Sequence, residues 1–251
     1  VQSEERQKRI EEFLLKTEFA SLDELSEQVD ASVSTVRRDL DALEAVGIVR
    51  RTHGGARILN PKSDEFTFST RDTHQLEEKE AIGGACAGLI EPGQTVILDA
   101  GTTVYHVAKH LEGKSLQIIT NSLPVANLFS GSNKSELVVS GGVIYPRLGV
   151  LVGPLAVEAF SKIRADVAIM SAGGLSEDGI SNSHGLLIDI QRAMIAAAHK
   201  VIFCMDHTKL GRRSMSHLCG LDEMDTLVTD KAANPALVKS LRREKIEVVL
   251  V

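Results

Sequence analysis

The stretch SVSTVRRDLDALEAVG, residues 32–47, decides how the first part of the chain folds. Val33, Val36, Leu40 and Leu43 recur at spacings of three and four, the period of one helix face. Ser32 stands before them as an N-cap and Gly47 after them as a left-handed C-terminal stop, so a helix is expected between the two. Ser34, Thr35, Arg37 and Arg38 fall off the apolar stripe, in the front half of that helix.

Upstream, Ser21 is followed three residues later by Glu24, with Leu22, Leu25 and Val29 on one face, the pattern of a capping box opening a short helix. That helix reaches only to about Val29, where Asp30-Ala31 breaks it. An earlier helix spans Glu4 to Lys16, with Ile10, Phe13 and Leu14 turned inward. Two helices joined by so short a break have helix-turn-helix spacing, and in that motif the front of the second helix enters the DNA major groove. Arginine there bonds two acceptors on guanine or clamps a phosphate. Asp39, next to the arginine pair, is expected to hold a neighbouring arginine in position.

Downstream, IVRRTHGGARI (residues 48–58) places two short runs around a glycine pair, which reads as a hairpin wing. Arg37, Arg38, Arg50, Arg51 and Arg57 outnumber Asp39, Asp41 and Glu44 over this region, and the acids sit toward the back of the helix. The chain as a whole carries a formal charge of −6, so any nucleic-acid surface has to be local. Adjacent arginines are more often plain solvated surface. Here the caps, the short turn and the basic hairpin together favour a DNA-binding surface made of Ser34, Thr35, Arg37 and Arg38 with the wing residues Arg51, His53 and Arg57.

Asn60 to Thr73 reads as a linker, in which Phe66 and Phe68 are docking candidates. The domains expected are 1–60 for DNA, 61–74 as linker and 75–251 as an effector-binding and oligomerising part. In the last, apolar runs alternate with helical segments: Val96-Ile97-Leu98, Gln117-Ile118-Ile119-Thr120, Leu137-Val138-Val139, Val167-Ala168-Ile169-Met170, Val201-Ile202-Phe203-Cys204, Leu227-Val228-Thr229 and Val248-Val249-Leu250. Continuous apolar strands separated by helices argue an α/β fold with a mainly parallel sheet covered on both faces.

Ligands in such sheets bind beyond the carboxyl ends of the strands. Polar and glycine residues gather there: Asp99, Gly101, Thr102 and Thr103 after one strand, Asn121 after the next, then Gly141-Gly142, Gly173-Gly174, and Asp206 with Lys209. Thr102 and Thr103 open a helix whose free N–H groups suit a phosphate, and lysine suits it as a point charge. Taken singly, Asp99 reads equally as a helix cap, and Asp206 with Lys209 as a surface ion pair.

The stretch STVRRDLDALEAVGIVRRTHGGA (residues 34–56) resembles the DNA-binding signature of the DeoR family of bacterial sugar-metabolism regulators, matching at Arg37, Arg38, Asp39, Leu40, Leu43, Gly47, Arg51, His53, Gly54, Gly55 and Ala56. DAGTT, TNS, SGG, DHTK and VTD further along resemble the family's sensor domain, so the likeness covers nearly the whole chain. The resemblance implies a winged helix-turn-helix followed by a domain related to ribose-5-phosphate isomerase and the CoA transferases. It implies binding of a phosphorylated sugar that releases a double-stranded DNA operator. It carries Asp99, Gly101, Thr102, Thr103, Asn121, Gly141, Gly142, Asp206 and Lys209 over as effector contacts. Asp189 stands near a glutamate common in the family, and Leu210 replaces a common phenylalanine, a change of packing.

Three cysteines without metal spacing fit a reduced, cytoplasmic protein, and no metal, cofactor or catalytic residue is expected. No apolar run approaches the roughly 20 residues that span a membrane, and the charged, helix-like N-terminus does not read as a signal peptide. A homo-oligomer, dimer or tetramer, is expected because one small winged helix offers limited contact with DNA. A rival reading is a sugar-phosphate isomerase-like enzyme, with Asp99, Asp189 and Asp206 as candidate bases. It leaves the first sixty residues unexplained. A second rival is a DNA-binding protein whose second domain only oligomerises.

Overall fold

The computed structural model describes residues 3–17, 19–52, 54–58 and 67–251. The chain divides into two compact units, Val1–Glu65 and Phe66–Val251. The first contains α1 (Ser3–Thr17), β1 (Phe19–Ser21), α2 (Leu22–Val29), α3 (Val33–Ala45), β2 (Val49–Thr52) and β3 (Gly55–Ile58). Ser21 starts α2 as the expected capping box: Glu24 N donates to Ser21 Oγ, and Ser21 N donates to Glu24 Oε2 at 2.8 Å. Asp30 takes the left-handed conformation that ends α2, Ser32 Oγ caps α3 by accepting from Thr35 N, and Gly47 turns the chain at φ +76°. Ile10, Leu14, Leu25, Val29, Val36, Leu40, Leu43, Val49 and Ala56 form one buried core. Each large aliphatic among them contributes roughly 1.5–3 kcal/mol by leaving water.

The wing is larger than the expected hairpin. Strand β1 pairs antiparallel with β3, making a three-stranded sheet in the order β1-β3-β2. The approach is close: a Cβ on Gly55 would lie 2.1 Å from the Ala20 carbonyl oxygen. The second glycine of the HGGA run is therefore a packing requirement of the wing.

The second unit begins with α4 (Phe68–Thr73) and α5 (Leu76–Gly88). The α4 stretch, whose composition placed it in the linker, is instead a helix of this unit. Thr67 caps it, and the Phe68 ring packs edge-on against Tyr105 with centroids 5.3 Å apart. Phe66 lies outside the described residues. There follow β4 (Thr95–Leu98), α6 (Thr102–Leu111), β5 (Gln117–Thr120), α7 (Leu123–Phe129), β6 (Glu136–Val139), β7 (Val143–Tyr145), β8 (Val150–Val152), α8 (Pro154–Ser161) and β9 (Ala165–Met170). The chain continues through β10 (Gly174–Ser176), β11 (Gly179–Asn182), α9 (Gly185–Ala197), β12 (Ala198–Cys204), β13 (Ser216–Cys219), β14 (Thr226–Thr229), α10 (Pro235–Arg243) and β15 (Glu247–Leu250).

Seven strands form one parallel sheet in the order β15-β14-β12-β9-β4-β5-β6, and these are the seven apolar runs of the sequence. Ile97, Ala168, Phe203 and Leu227 bury on one face, and Val96, Leu98, Ile169, Ile202 and Val228 on the other. A small antiparallel sheet, β10-β11-β13, and the ribbon β7-β8 were not legible as strands. They are short, and β10, β11 and β13 are rich in Gly, Ser and Asn, so alternation does not mark them out.

The strand order places the topological switch between β4 and β9. From β4 the chain steps to β5 and β6 on one side, then returns to β9 on the other and proceeds outward to β15. A crevice at the carboxyl ends of β4 and β9 follows from that reversal.

Candidate functional site

In the first unit, Ser34, Arg37 and Arg38 are exposed on α3 and Thr35 is half-buried. Arg38 Nε donates to the Ser34 carbonyl at 3.5 Å, and Ser32 Oγ lies 2.9 Å from both Ser34 Oγ and Thr35 Oγ1. The arginine pair thus projects from the front of a capped helix.

Asp39 does not hold either of these arginines. It is buried and accepts from Arg6 of α1, Nε to Oδ2 at 2.5 Å and Nη2 to Oδ1 at 2.9 Å, with Gln7 and Ser3 also donating. Its burial works to raise the carboxyl pKa, but the bonds from Arg6 and Gln7, the Arg6 charge and the Ser3 hydroxyl together bring it below the usual carboxylate range. The aspartate of the signature therefore pins the reading helix to α1. The ion pair that engages a wing arginine is Arg51 with Asp41, and Arg51 N donates to Glu44 Oε1 at 2.8 Å. Arg57 Cα pairs with Arg50 Cα across the hairpin, its side chain being outside what is described, and His53 lies outside the described residues.

In the second unit, a small open cleft lies at the β4–β9 switch. Its polar lining is Arg71, Asp99, Gly101, Ser171, Asn182 and Gln191, with Leu148 and Leu187 among the apolar walls. Asp99 is buried. Gln191 Nε2 donates to its Oδ2 at 2.8 Å and Ser171 N at 3.2 Å, and Gln191 also bonds the Ser171 carbonyl at 3.0 Å. Asn182 Nδ2 donates to Gln191 Oε1 at 3.0 Å, which fixes the amide. Burial raises the Asp99 pKa above the usual carboxylate range, against the opposing effects of the Ala100 N–H, Gln191, the Ser171 N–H and the Arg71 charge. A Cβ on Gly101 would lie 2.5 Å from Ser171 Cβ, so the two strand ends meet only because glycine stands there.

The remaining expected positions divide. Thr102 and Thr103 are buried in the first turn of α6. Asn121 is buried, its Nδ2 donating to the Leu151 carbonyl at 3.1 Å, while its Oδ1 has no partner among the described residues. Asp206 is buried and accepts from Thr208 N at 3.0 Å, capping the turn that carries the half-buried Lys209. Gly141 and Gly142 form the turn between β6 and β7 at φ +73° and +119°; like Thr102, Thr103, Asn121, Asp206 and Lys209, they are not among the residues that line the cleft. Asp189 is exposed on α9, and the residue of that helix that reaches the cleft is Gln191.

Two cations were not singled out from the sequence. Arg71 of α4 lines the cleft. Lys79 of α5 is buried, and its Nζ donates to the Arg71 carbonyl. Desolvation lowers the Lys79 pKa to about 8, with Asp206 and Asp72 opposing that effect and Arg71 and Lys209 adding to it. Lys79 had a signal in the sequence, since it occupies an inward position on α5 alongside Ile82 and Cys86.

Residues 6–62 match the DeoR-like helix-turn-helix domain, and residues 74–231 match the DeoR C terminal sensor domain. The chain is a DeoR-family transcriptional regulator. The regulator is 34% identical over 240 residues to the HTH-type transcriptional regulator GolR of Listeria innocua, covering 95% of this chain and 94% of that protein. It is 35% identical over 247 residues to the HTH-type transcriptional repressor GlcR of Bacillus subtilis (98% and 96% covered). It is 33% identical over 234 residues to the HTH-type transcriptional repressor CsqR of Escherichia coli (92% and 89% covered). A ribose 5-phosphate isomerase A from Methanocaldococcus jannaschii aligns with 53% of the regulator and 53% of its own chain at 16% identity, with a TM-score of 0.38. Among the described residues no helix is long and apolar enough to cross a membrane, and no cluster of His, Cys, Asp and Glu could hold a metal ion.

Proposed function

We propose that the regulator is a cytoplasmic repressor of a sugar-metabolism operon, released from its operator by a phosphorylated sugar bound in the cleft. The observation that carries this reading is that a buried carboxylate, Asp99, and a cation, Arg71, line one cleft. A carboxylate and the amide network behind it suit ligand hydroxyls, and a cation suits an oxyanion. Relatives named as repressors support the direction of control.

Residues 1–60 form the reading head in this proposal, the residues up to Glu65 connect it, and the unit that begins at Phe66 senses the ligand and joins protomers. Ser34, Thr35, Arg37 and Arg38 meet base edges, and Arg51, His53 and Arg57 meet the backbone. Asp99, Gly101, Thr102, Thr103, Asn121, Asp206 and Lys209 surround the ligand, with Gln191 taking the place first given to Asp189. Two heads on one operator require a homo-oligomer. Release follows from linkage: a ligand that favours the conformation with misaligned heads lowers operator affinity by its differential affinity for the two states.

An isomerase would need a partner acid beside its base. Asp99 is the one acid among the described residues lining the cleft, and its immediate donors are the Gln191 amide and the Ser171 N–H.

The test is operator binding titrated with sugar phosphates, alongside thermal shift of the same compounds. A ligand at a hundred times its dissociation constant adds about 2.7 kcal/mol of stability. Lys209→Ala should bind operator normally yet need roughly ten- to hundred-fold more effector for release. An unchanged midpoint would remove Lys209 from the site, and turnover of a sugar phosphate by the wild type would favour the enzyme.

A further inference from the structure

Arg71 combines a locked backbone with an unengaged side chain. Its N–H donates to the Thr67 carbonyl at 3.0 Å, and its carbonyl accepts from the buried ammonium of Lys79. The next residue, Asp72, accepts from His106 Nε2 of α6 at 2.9 Å, while Phe68, one turn back, stacks edge-on against Tyr105 of the same helix. Phe68 N also donates to the Arg147 carbonyl at 3.1 Å. Three elements thus hold α4 in place. Arg71 lines the cleft, its charge acts on Asp99, and among the described residues its guanidinium makes no hydrogen bond or ion pair. A cation held at its base and left without a partner at its head is preorganised for a ligand.

The shape of the head narrows the ligand class. A guanidinium presents a planar fork of donors that matches an oxyanion two bonds at a time, which an ammonium does not do. In the same cleft, the Asp99 carboxylate has its Oδ2 occupied by Gln191 and the Ser171 N–H. An anion brought directly against Asp99 would be repelled, whereas a hydroxyl would donate to it. The two residues therefore orient a ligand end to end.

We propose that Arg71 is the residue that receives the oxyanion of the ligand, with Asp99 taking a hydroxyl from its other end. This inference rests on the cleft being the effector site. It makes α4, the first helix after the reading head in the chain, part of the ligand site.

The experiment uses the full chain and measures binding by calorimetry. The probes are ribose 5-phosphate, glucose 6-phosphate, fructose 1-phosphate and fructose 6-phosphate, each beside its neutral sugar, with inorganic phosphate as the bare anion. For the phosphorylated probe that the wild type binds, Arg71→Gln should weaken affinity about ten- to hundred-fold. Arg71→Lys should recover only part of the loss, and affinity for the neutral sugar should stay unchanged. Operator affinity of ligand-free Arg71→Gln should equal the wild type, which also reports that the variant is folded. Wild-type affinity in Arg71→Gln, or equal loss for phosphorylated and neutral sugars, overturns the assignment while leaving the effector reading intact. A wild type that binds none of the probes overturns the effector reading and this inference with it.

Discussion

Both units of the regulator bury aspartates, and two of them, Asp39 and Asp99, are treated in opposite ways. Asp39 in the reading head is met by a guanidinium, an amide and a hydroxyl, and its pKa falls below the usual range. Asp99 in the sensor unit is met by an amide and backbone N–H groups, shares its cleft with Arg71 without a bond to it, and its pKa rises. The first is a completed contact, and its ionised form stabilises the fold. The second is a desolvated charge whose compensation is unfinished, which costs the empty protein stability and leaves it ready for a donor. Two aspartates that look alike in a sequence differ by whether an arginine reaches them.

The contrast is broken most directly by removing each charge. Asp39→Ala should lower the thermal midpoint of the reading head by on the order of 10 °C, since charge-assisted bonds of about 1.5–3 kcal/mol are lost and the domain is small. Asp99→Asn should leave the midpoint of the ligand-free second unit at pH 7 unchanged or higher, and should weaken effector binding. Calorimetric scans of both variants settle the matter, and a large destabilisation by Asp99→Asn would make the two residues equivalent.

Acid sharpens the same contrast, with the sign set by the direction of each shift. The contribution of Asp39 is complete above the ordinary carboxylate pKa and is lost as pH falls through its lowered folded value. Asp99 does the reverse: its cost is present above its raised folded value and is relieved as pH falls through it. Lys79 extends the test to alkali. Its folded pKa of about 8 lies below the ordinary 10.5, so the unfolded chain binds more protons in that window and stability rises with pH across it. Lys79→Met should flatten that rise in an unfolding series from pH 7 to 10, and an unchanged slope would assign the rise to other groups.

Arg37→Ala and Arg38→Ala address the head's chemistry apart from its stability. Each should weaken operator binding by about 1–3 kcal/mol where a base contact is lost, with the melting curve unmoved because both side chains are exposed. Wild-type operator affinity in both would reject α3 as the reader. The smallest effect is expected at Arg51. Its ion pair with Asp41 is partly exposed, so Arg51→Ala should change stability by less than about 1 kcal/mol. If Arg51 also meets a phosphate, the salt dependence of operator binding should fall by about one unit.

Local order was legible because caps and periodicity are local. Ser21 with Glu24, Ser32, Gly47 and the stripe from Val33 to Leu43 specify the two helices and the turn between them without reference to the rest of the chain. The seven apolar runs likewise announce the seven strands, since a strand covered on both faces has to be apolar throughout; the edge strands β6 and β15 are apolar too, although partly exposed. The glycine and polar residues at their ends were visible too, but as separate weak signals.

What only the tertiary structure decided is which of those ends meet. The crossover from β6 back to β9 brings Asp99 and Ser171 together and leaves the Gly141-Gly142 turn outside the cleft lining. The turn of α9 aims Gln191 inward and Asp189 at solvent, a difference that two residues of sequence do not reveal. Arg6 reaches Asp39 across 33 residues, and Arg71 joins the cleft from a stretch whose composition reads as linker. Strand β1 exists only because β3 lies beside it. Periodicity and capping report the free energy of a segment with itself. Strand order, long-range ion pairs and the convergence of a cleft depend on contacts between segments, which the chain acquires only when it is packed.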